Sequence, residues 1–268
     1  MGPPTPPRLV ACDLDGTLIA RDNVLSPRVD AAVSAAIDAG LWVVAVTGRP
    51  WQITLEIARA HRLLPAAVCS NGGVLVDVES GKVEHTGLED GAVAGLIDRV
   101  RDAVPGVVFA VDTVDRLVHE PEFMDAGLYW DPGEGPGDLA PHLDADVIKV
   151  IARRPGMPAE VLAGLLDHEV LAGAAAPGHG GGEWVELMPV GVSKASGLAL
   201  LCERLGVDAA EVVAVGDEWN DVAMVEWAGT GVAVGDAPAA LLAAADRVVP
   251  SAADDGVAAL LEELVGDH

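Results

Sequence analysis

The sequence predicts an α/β fold built on a parallel sheet, and three observations point to it. Short apolar runs alternate with longer stretches of helical periodicity. The runs at residues 9–12, 41–46 and 212–215 are continuously apolar rather than alternating, as in strands buried on both faces. The alternation also changes texture once, between about Gly87 and Glu186, and resumes from Lys194. The reading is one α/β core, residues 1–86 and 187–268, interrupted by a second α/β domain at 87–186.

The elements follow in order. Residues 9–12 form the first strand. Ser26-Pro27 caps and starts a helix, Val29, Val33, Ala36 and Ile37 give its buried stripe, and Gly40 stops it. Residues 41–46 make a second strand and 66–70 a third. Residues 74–78 and 82–85 flank Glu79-Ser80-Gly81 as a hairpin. In the middle region helical patterns at 93–104 and 159–166 mix with strands at 107–111 and 147–152. Pro- and Gly-rich stretches at 131–141 and 177–182 separate them. After Lys194 come a helix to Leu205, the strand at 212–215, a helix, a short strand at 232–234 and a C-terminal helix from about Gly256. No internal repeat is visible.

At 268 residues the chain exceeds the ~100–200 typical of one domain, so one large or two smaller domains fit. Six Trp, two Phe and one Tyr leave Ala, Val and Leu to fill the core. A net charge of −26 argues against a nucleic-acid groove or an anionic membrane surface. No run of about eighteen apolar residues is free of charges and breakers, so no span is expected. Residues 1–8 lack the basic start and apolar stretch of a signal peptide. Cys12, Cys69 and Cys202 are odd in number, far apart and set in apolar runs, and read as reduced core thiols. A soluble, acidic, cytoplasmic protein is expected; its oligomeric state is not legible.

Two acidic clusters stand where buried strands end. Asp13-Leu14-Asp15-Gly16-Thr17 closes the first strand, and chemistry in open α/β sheets sits at carboxyl ends. Alone, such a D-x-D-G is more often a solvated turn, and an EF-hand fails because its Gly belongs at the sixth position. Gly216-Asp217-Glu218-Trp219-Asn220-Asp221 closes the strand at 212–215 in the same way. Neighbouring parallel strands lie roughly 5 Å apart, so adjacency would let Asp13 and Asp217 share one ion. Carboxylate oxygens of this kind suit Mg2+, which keeps waters for a phosphate to replace. Thr47-Gly48-Arg49 closes a third strand, where a hydroxyl and a Gly N–H can hold a phosphoryl oxygen, although Thr-Gly turns are common. Lys194, one of only three lysines, opens a helix where a cation opposes the macrodipole, a position that suits anion binding better than a surface role.

These motifs, in order, resemble motifs I to IV of the haloacid dehalogenase (HAD) superfamily. Ser70-Asn71-Gly72-Gly73, the stretch from Glu186 to Lys194, and Ala245-Asp246-Arg247-Val248 with Asp255-Gly256-Val257 resemble its Cof-type branch, subfamily IIB. The resemblance runs from Leu9 to about Leu261 and implies a Rossmann-like core with an inserted α/β cap. Glu218 and Asp236 depart from it, standing where relatives usually carry Gly and often Asn.

The resemblance implies a phosphomonoester hydrolase. Asp13 would be the nucleophile that forms an aspartyl-phosphate, and Asp15 the general acid and then base. Mg2+ would be held by Asp13, the Asp15 carbonyl and Asp217, with Asp221 in support. Thr47, Gly48, Lys194 and Asn220 would hold phosphoryl oxygens, with Arg49 and Asn71 also counted among the phosphate- and substrate-binding residues.

A dehalogenase would not need Asp15, and a P-type ATPase would need a membrane domain. A phosphomutase shares the core motifs and stays as the alternative. A phospho-accepting receiver is about half this length, and no G-x-G-x-x-G follows the first strand to bind a dinucleotide. Between Gly87 and Glu186 nineteen acidic side chains face six basic ones, so a small phosphorylated metabolite with a neutral body, such as a sugar phosphate, is expected rather than a polyanion. His179-Gly180-Gly181-Gly182 reads as a polar segment that could reach the leaving group, or more simply as a surface hairpin.

Overall fold

A computed structural model describes residues 6–19, 24–126, 137–179 and 183–266. They divide into two compact units, Met1–Glu84 with Ser193–His268, and His85–Val192.

The first unit opens with β1 (Leu9–Cys12), all four residues fully buried, as a doubly covered strand requires. Ser26 then caps α1 (Pro27–Asp38), its hydroxyl accepting from the Val29 N–H at 3.2 Å, with Pro27 at the first helical position. Gly40, at φ +95°, turns the chain into β2 (Trp42–Ala45). There follow α2 (Trp51–Ala60), β3 (Ala66–Cys69), β4 (Val74–Asp77) and β5 (Val83–His85).

The second unit runs α3 (Ala92–Ala103), β6 (Val108–Thr113), β7 (Leu117–His119), β8 (Val147–Arg153), α4 (Ala159–Leu165), α5 (His168–Leu171), β9 (Ala176–His179) and β10 (Trp184–Met188). The chain then returns to the first unit with α6 (Lys194–Leu205), β11 (Val212–Gly216), α7 (Val222–Trp227), β12 (Thr230–Val234), α8 (Ala239–Ala244), β13 (Arg247–Val249) and α9 (Gly256–Gly266).

The first unit's main sheet is parallel throughout, in the order β13-β12-β11-β1-β2. One apolar layer against it joins Leu9, Ala11, Val44 and Ala214 to Leu198, Leu201 and Cys202 of α6. Each such Leu or Val, fully buried, contributes about 1.5–3 kcal/mol before the entropic cost of ordering it. The third predicted strand is present as β3. β3 pairs with β4 in the sheet β3-β4-β5 and lies beside the end of β2, where Val46 and Val68 form a parallel bridge and Val44, Val46, Ala66 and Val68 share one apolar layer.

The second unit's sheet is antiparallel, in the order β7-β6-β8-β10-β9. Alternate residues Phe109, Val111, Val150, Ala152, Val185 and Leu187 share one core with Val93, Leu96, Ile97 and Val100 of α3 and Leu162 of α4. Residues 177–179, read from sequence as part of a Pro- and Gly-rich break, lie instead in β9. Pro177 is tolerated there because β9 is an edge strand. Gly180–Gly182 lie outside the described residues, as does most of the stretch at 131–141. β10 pairs with β8 through Leu187, which carries the second unit's sheet past residue 186.

Candidate active site

β1 lies between β2 and β11, with Cys12 level with Ala45 on one side and Val215 on the other. The three strands are parallel, so their carboxyl ends share one edge, and the adjacency that a shared ion requires is met. The Asp13 N–H still donates to the Val215 carbonyl at 3.0 Å, and beyond it the chain leaves the ladder. Two glycines set how closely the loops approach. Gly16 sits at φ +82°, and a Cβ there would lie 2.0 Å from Asp217 Oδ2. A Cβ on Gly216 would lie 2.4 Å from the Asp221 side chain.

Lys194 enters from the first turn of α6, whose cap Ser193 exchanges hydrogen bonds with Ser196. The start of this helix packs tightly on the turn after β3: a Cβ on Gly72 would sit 2.0 Å from the Ser193 carbonyl oxygen, and one on Gly197 2.7 Å from Gly72 Cα. The buried ammonium donates to Asp13 Oδ1 at 2.6 Å and to Asp221 Oδ1 at 2.7 Å. Two carboxylates therefore hold a cation at the helix terminus that would otherwise repel it. Asp221 Oδ2 accepts from the backbone N–H groups of Asp217 at 3.1 Å and Glu218 at 3.0 Å. The Thr17 hydroxyl donates to Asp217 Oδ1 at 3.0 Å.

Three carboxylates around one ammonium leave an excess of negative charge in a buried place. Burial raises the Asp13 pKa well above the usual carboxylate range; Lys194 opposes this, while Asp221 and Asp217 reinforce it. Burial, reinforced by Asp221, pushes Asp217 up to about 7 against the pull of Lys194 and Thr17. Burial on its own would lower the Lys194 pKa, but Asp13 and Asp221 outweigh it and hold the ammonium above its ordinary value. One carboxylate oxygen from each of Asp13, Asp217 and Asp221 lies within 4.8 Å of the others. An all-oxygen, over-charged cluster of this kind fits a hard divalent cation such as Mg2+.

The remaining predicted residues form a second group. The Thr47 hydroxyl accepts from the Arg49 N–H at 3.1 Å, and the Thr47 carbonyl accepts from the Asn71 N–H at 3.0 Å. Gly48 lies against the Asn71 amide, where a Cβ would come within 3.3 Å of Oδ1. Ser70, Asn71 and Gly72 have φ values of +46°, +53° and +96°, three left-handed residues in a row at the end of β3. Asn220 Nδ2 donates to Asn71 Oδ1 at 3.0 Å, while Asn220 Oδ1 is buried and has no partner. Thus Asn220 ties the two strand ends together with one polar atom to spare.

Asp15 stands apart from the other acids. Its side chain is 56% exposed and pairs with Arg49, Nε to Oδ2 at 2.7 Å and Nη2 to Oδ1. Arg49, expected among the phosphate- and substrate-binding residues, is thus turned to a carboxylate. Thr17, part of the first acidic motif but not among the residues expected to act, is the side chain that orients Asp217. Its signal was its place just after Gly16, on the turn that brings the two loops together. Glu218 caps the turn that follows it, its carboxylate accepting from the Trp219 N–H at 3.4 Å. Cys12, Cys69 and Cys202 are free and buried, and burial pushes the Cys12 thiol up to about 12, with Asp13 adding to it. Among the described residues no helix is long and apolar enough to cross a membrane.

The sequence profile of haloacid dehalogenase-like hydrolases matches residues 10–261. The chain is 32% identical over 272 residues to the 5-amino-6-(5-phospho-D-ribitylamino)uracil phosphatase YitU of Bacillus subtilis, covering 97% of this chain and 98% of that one. It is 30% identical to a phosphoglycolate phosphatase of Natronomonas pharaonis, over 92% of this chain and 93% of the other. Among solved structures, a haloacid dehalogenase-like hydrolase from Bacteroides thetaiotaomicron superposes with a TM-score of 0.81 at 24% identity, covering 96% and 99% of the two chains.

Proposed function

Because the chain belongs to the haloacid dehalogenase-like hydrolase family and is a phosphatase, we propose that it hydrolyses small phosphomonoesters through an aspartyl-phosphate on Asp13, with Mg2+ as cofactor. The observation that carries this reading is the meeting of Asp13, Asp217 and Asp221 within 4.8 Å, with Lys194 bonded to two of them.

In the first half-reaction an Asp13 oxygen attacks phosphorus in line. The bond from phosphorus to the ester oxygen breaks, and that oxygen takes a proton from Asp15. In the second, Asp15, now a carboxylate, takes a proton from water. The water oxygen attacks phosphorus, and the Asp13–phosphorus bond breaks to release inorganic phosphate and restore Asp13. Thr47, Gly48, Lys194 and Asn220 hold the phosphoryl oxygens, in keeping with a reaction that rests on positioning and charge neutralisation. Asp13, Asp217, Asp221 and the Asp15 carbonyl would hold Mg2+, whose charge offsets that of the phosphoryl group.

The substrate is a small metabolite of the sugar-phosphate kind. The two relatives are named for 5-amino-6-(5-phospho-D-ribitylamino)uracil and for phosphoglycolate, both phosphomonoesters of small molecules. Residues 87–186, with nineteen acidic against six basic side chains, form a cap that disfavours polyanions and selects the leaving group. Phosphate release from a panel of monoesters tests the reading. Activity on 4-nitrophenyl phosphate should vanish in excess chelator and return with Mg2+; full activity in chelator would refute the metal requirement.

A further inference from the structure

We propose that Arg49 is the positioning residue of Asp15 and not a ligand of the phosphoryl oxygens, an inference that rests on the acid/base role given to Asp15 above. Three considerations support it. The guanidinium meets the carboxylate as a fork, Nε on Oδ2 at 2.7 Å and Nη2 on Oδ1, the planar two-bond match that arginine makes and lysine cannot.

The two ends of the pair are unequal. The Arg49 side chain is 9% exposed and the Asp15 side chain 56%. The arginine backbone is also fixed at both groups: its N–H donates to the Thr47 hydroxyl at 3.1 Å and its carbonyl accepts from the Ser70 N–H at 2.9 Å. A held, buried group therefore orients an exposed one that would otherwise sample its rotamers on a turn. Lastly, the function proposed above assigns the phosphoryl oxygens to Thr47, Gly48, Lys194 and Asn220, so Arg49 is left free to serve Asp15.

The arrangement suits both half-reactions. When Asp15 carries a proton, its carbonyl oxygen goes on accepting from the guanidinium while its hydroxyl oxygen presents the proton to the leaving group. Once the proton is given up, both bonds form again and fix the carboxylate that must take a proton from water.

The test compares first-turnover rates of Arg49→Ala on an alkyl phosphate and on 4-nitrophenyl phosphate, whose nitrophenolate leaves without a proton. The expected losses are about 100-fold on the alkyl ester and under about threefold on the aryl ester, with KM little changed. In an Asp15→Asn background, Arg49→Ala should change the alkyl rate by less than about threefold, since its partner's role is already gone. Equal losses on the two esters, a raised KM and an undiminished loss in the Asp15→Asn background would make Arg49 a phosphate ligand and overturn the proposal. A merely structural role would lower the melting temperature without separating the esters, which also overturns it. Arg49→Lys keeps the buried charge but not the fork, and gives the same comparison if the alanine variant does not fold. Nitrophenolate release that survived Asp13→Asn would overturn the nucleophile reading instead, a result distinct from either.

Discussion

Lys194 and Lys149 are both buried, one in each compact unit, and they donate to carboxylates at 2.6 Å (Asp13) and 2.7 Å (Glu186). Their surroundings differ in kind. Lys149 stands in the middle of β8, where all seven residues are buried, level with Asp112 across the β6 ladder. The backbone on both sides is consumed by pairing with β6 and β10. Lys194 begins a helix and meets acids that have just left two parallel strands, with a third carboxylate, Asp217, close by. A buried charge by itself therefore does not mark a site. The edge where parallel strands end, with three carboxylates gathered within 4.8 Å of one another, does.

The largest test of this contrast is Asp13→Asn, which should cut turnover on 4-nitrophenyl phosphate by about 10³-fold or more. The amide is nearly isosteric and removes one charge from an over-charged cluster, so the melting temperature should not fall. Turnover within tenfold of wild type would mean that the excess charge serves something other than the nucleophile.

Lys149→Met should cost about 3–5 kcal/mol in urea unfolding, because it removes the ammonium that the buried Glu186 carboxylate meets at 2.7 Å. Adding Glu186→Leu should recover part of that loss, with Asp112 still buried level with position 149, and the double variant should keep the wild-type kcat on the aryl ester. Failure to recover would show that the second unit's pair is needed for more than mutual compensation. Lys194→Met, by contrast, should lose about 100-fold in kcat even at saturating Mg2+, since no second substitution restores the charge seen by phosphate.

Exchange of the whole second unit, His85–Val192, for that of a relative with another preference should move the ranking of alkyl phosphates by about tenfold, a change worth about 1.4 kcal/mol. The dependence on Asp13 should persist. A folded chimera with the original ranking would move specificity into the first unit.

The smallest effect is on stability against pH. Asp217 titrates near 7 in the metal-free fold and near 3.8 when exposed, so the folded state binds more protons between these values. Its contribution to stability is thus greatest at low pH and is lost as pH rises toward 7. The metal-free protein should melt a few degrees lower at pH 8 than at pH 5 on this account, and Mg2+ should raise the melting temperature more at pH 8. Equal Mg2+ effects at both pH values would place the ion elsewhere.

Much of the first unit was legible because its information is local. The apolar run at 9–12, the Ser26-Pro27 start and the acids following each strand state their burial and ends within a few neighbours. The second unit was less legible for a matching reason. Trp184–Met188 carries Glu186 in its middle and Ala176–His179 carries Pro177, so neither reads as a strand. The Lys149 partner helps make Glu186 acceptable, and the edge position does so for Pro177.

The sequence by itself determined the α/β class, the interruption and the set of acids, lysine and amides, since periodicity and strand-end position are properties of short segments. Tertiary structure alone decided the order β11-β1-β2, the pairing of β3 with β4, the Thr17–Asp217 bond across 200 residues and the turn of Arg49 onto Asp15. Which strand lies beside which, and which charge meets which, depends on packing surfaces contributed by distant segments, and no local pattern carries that information.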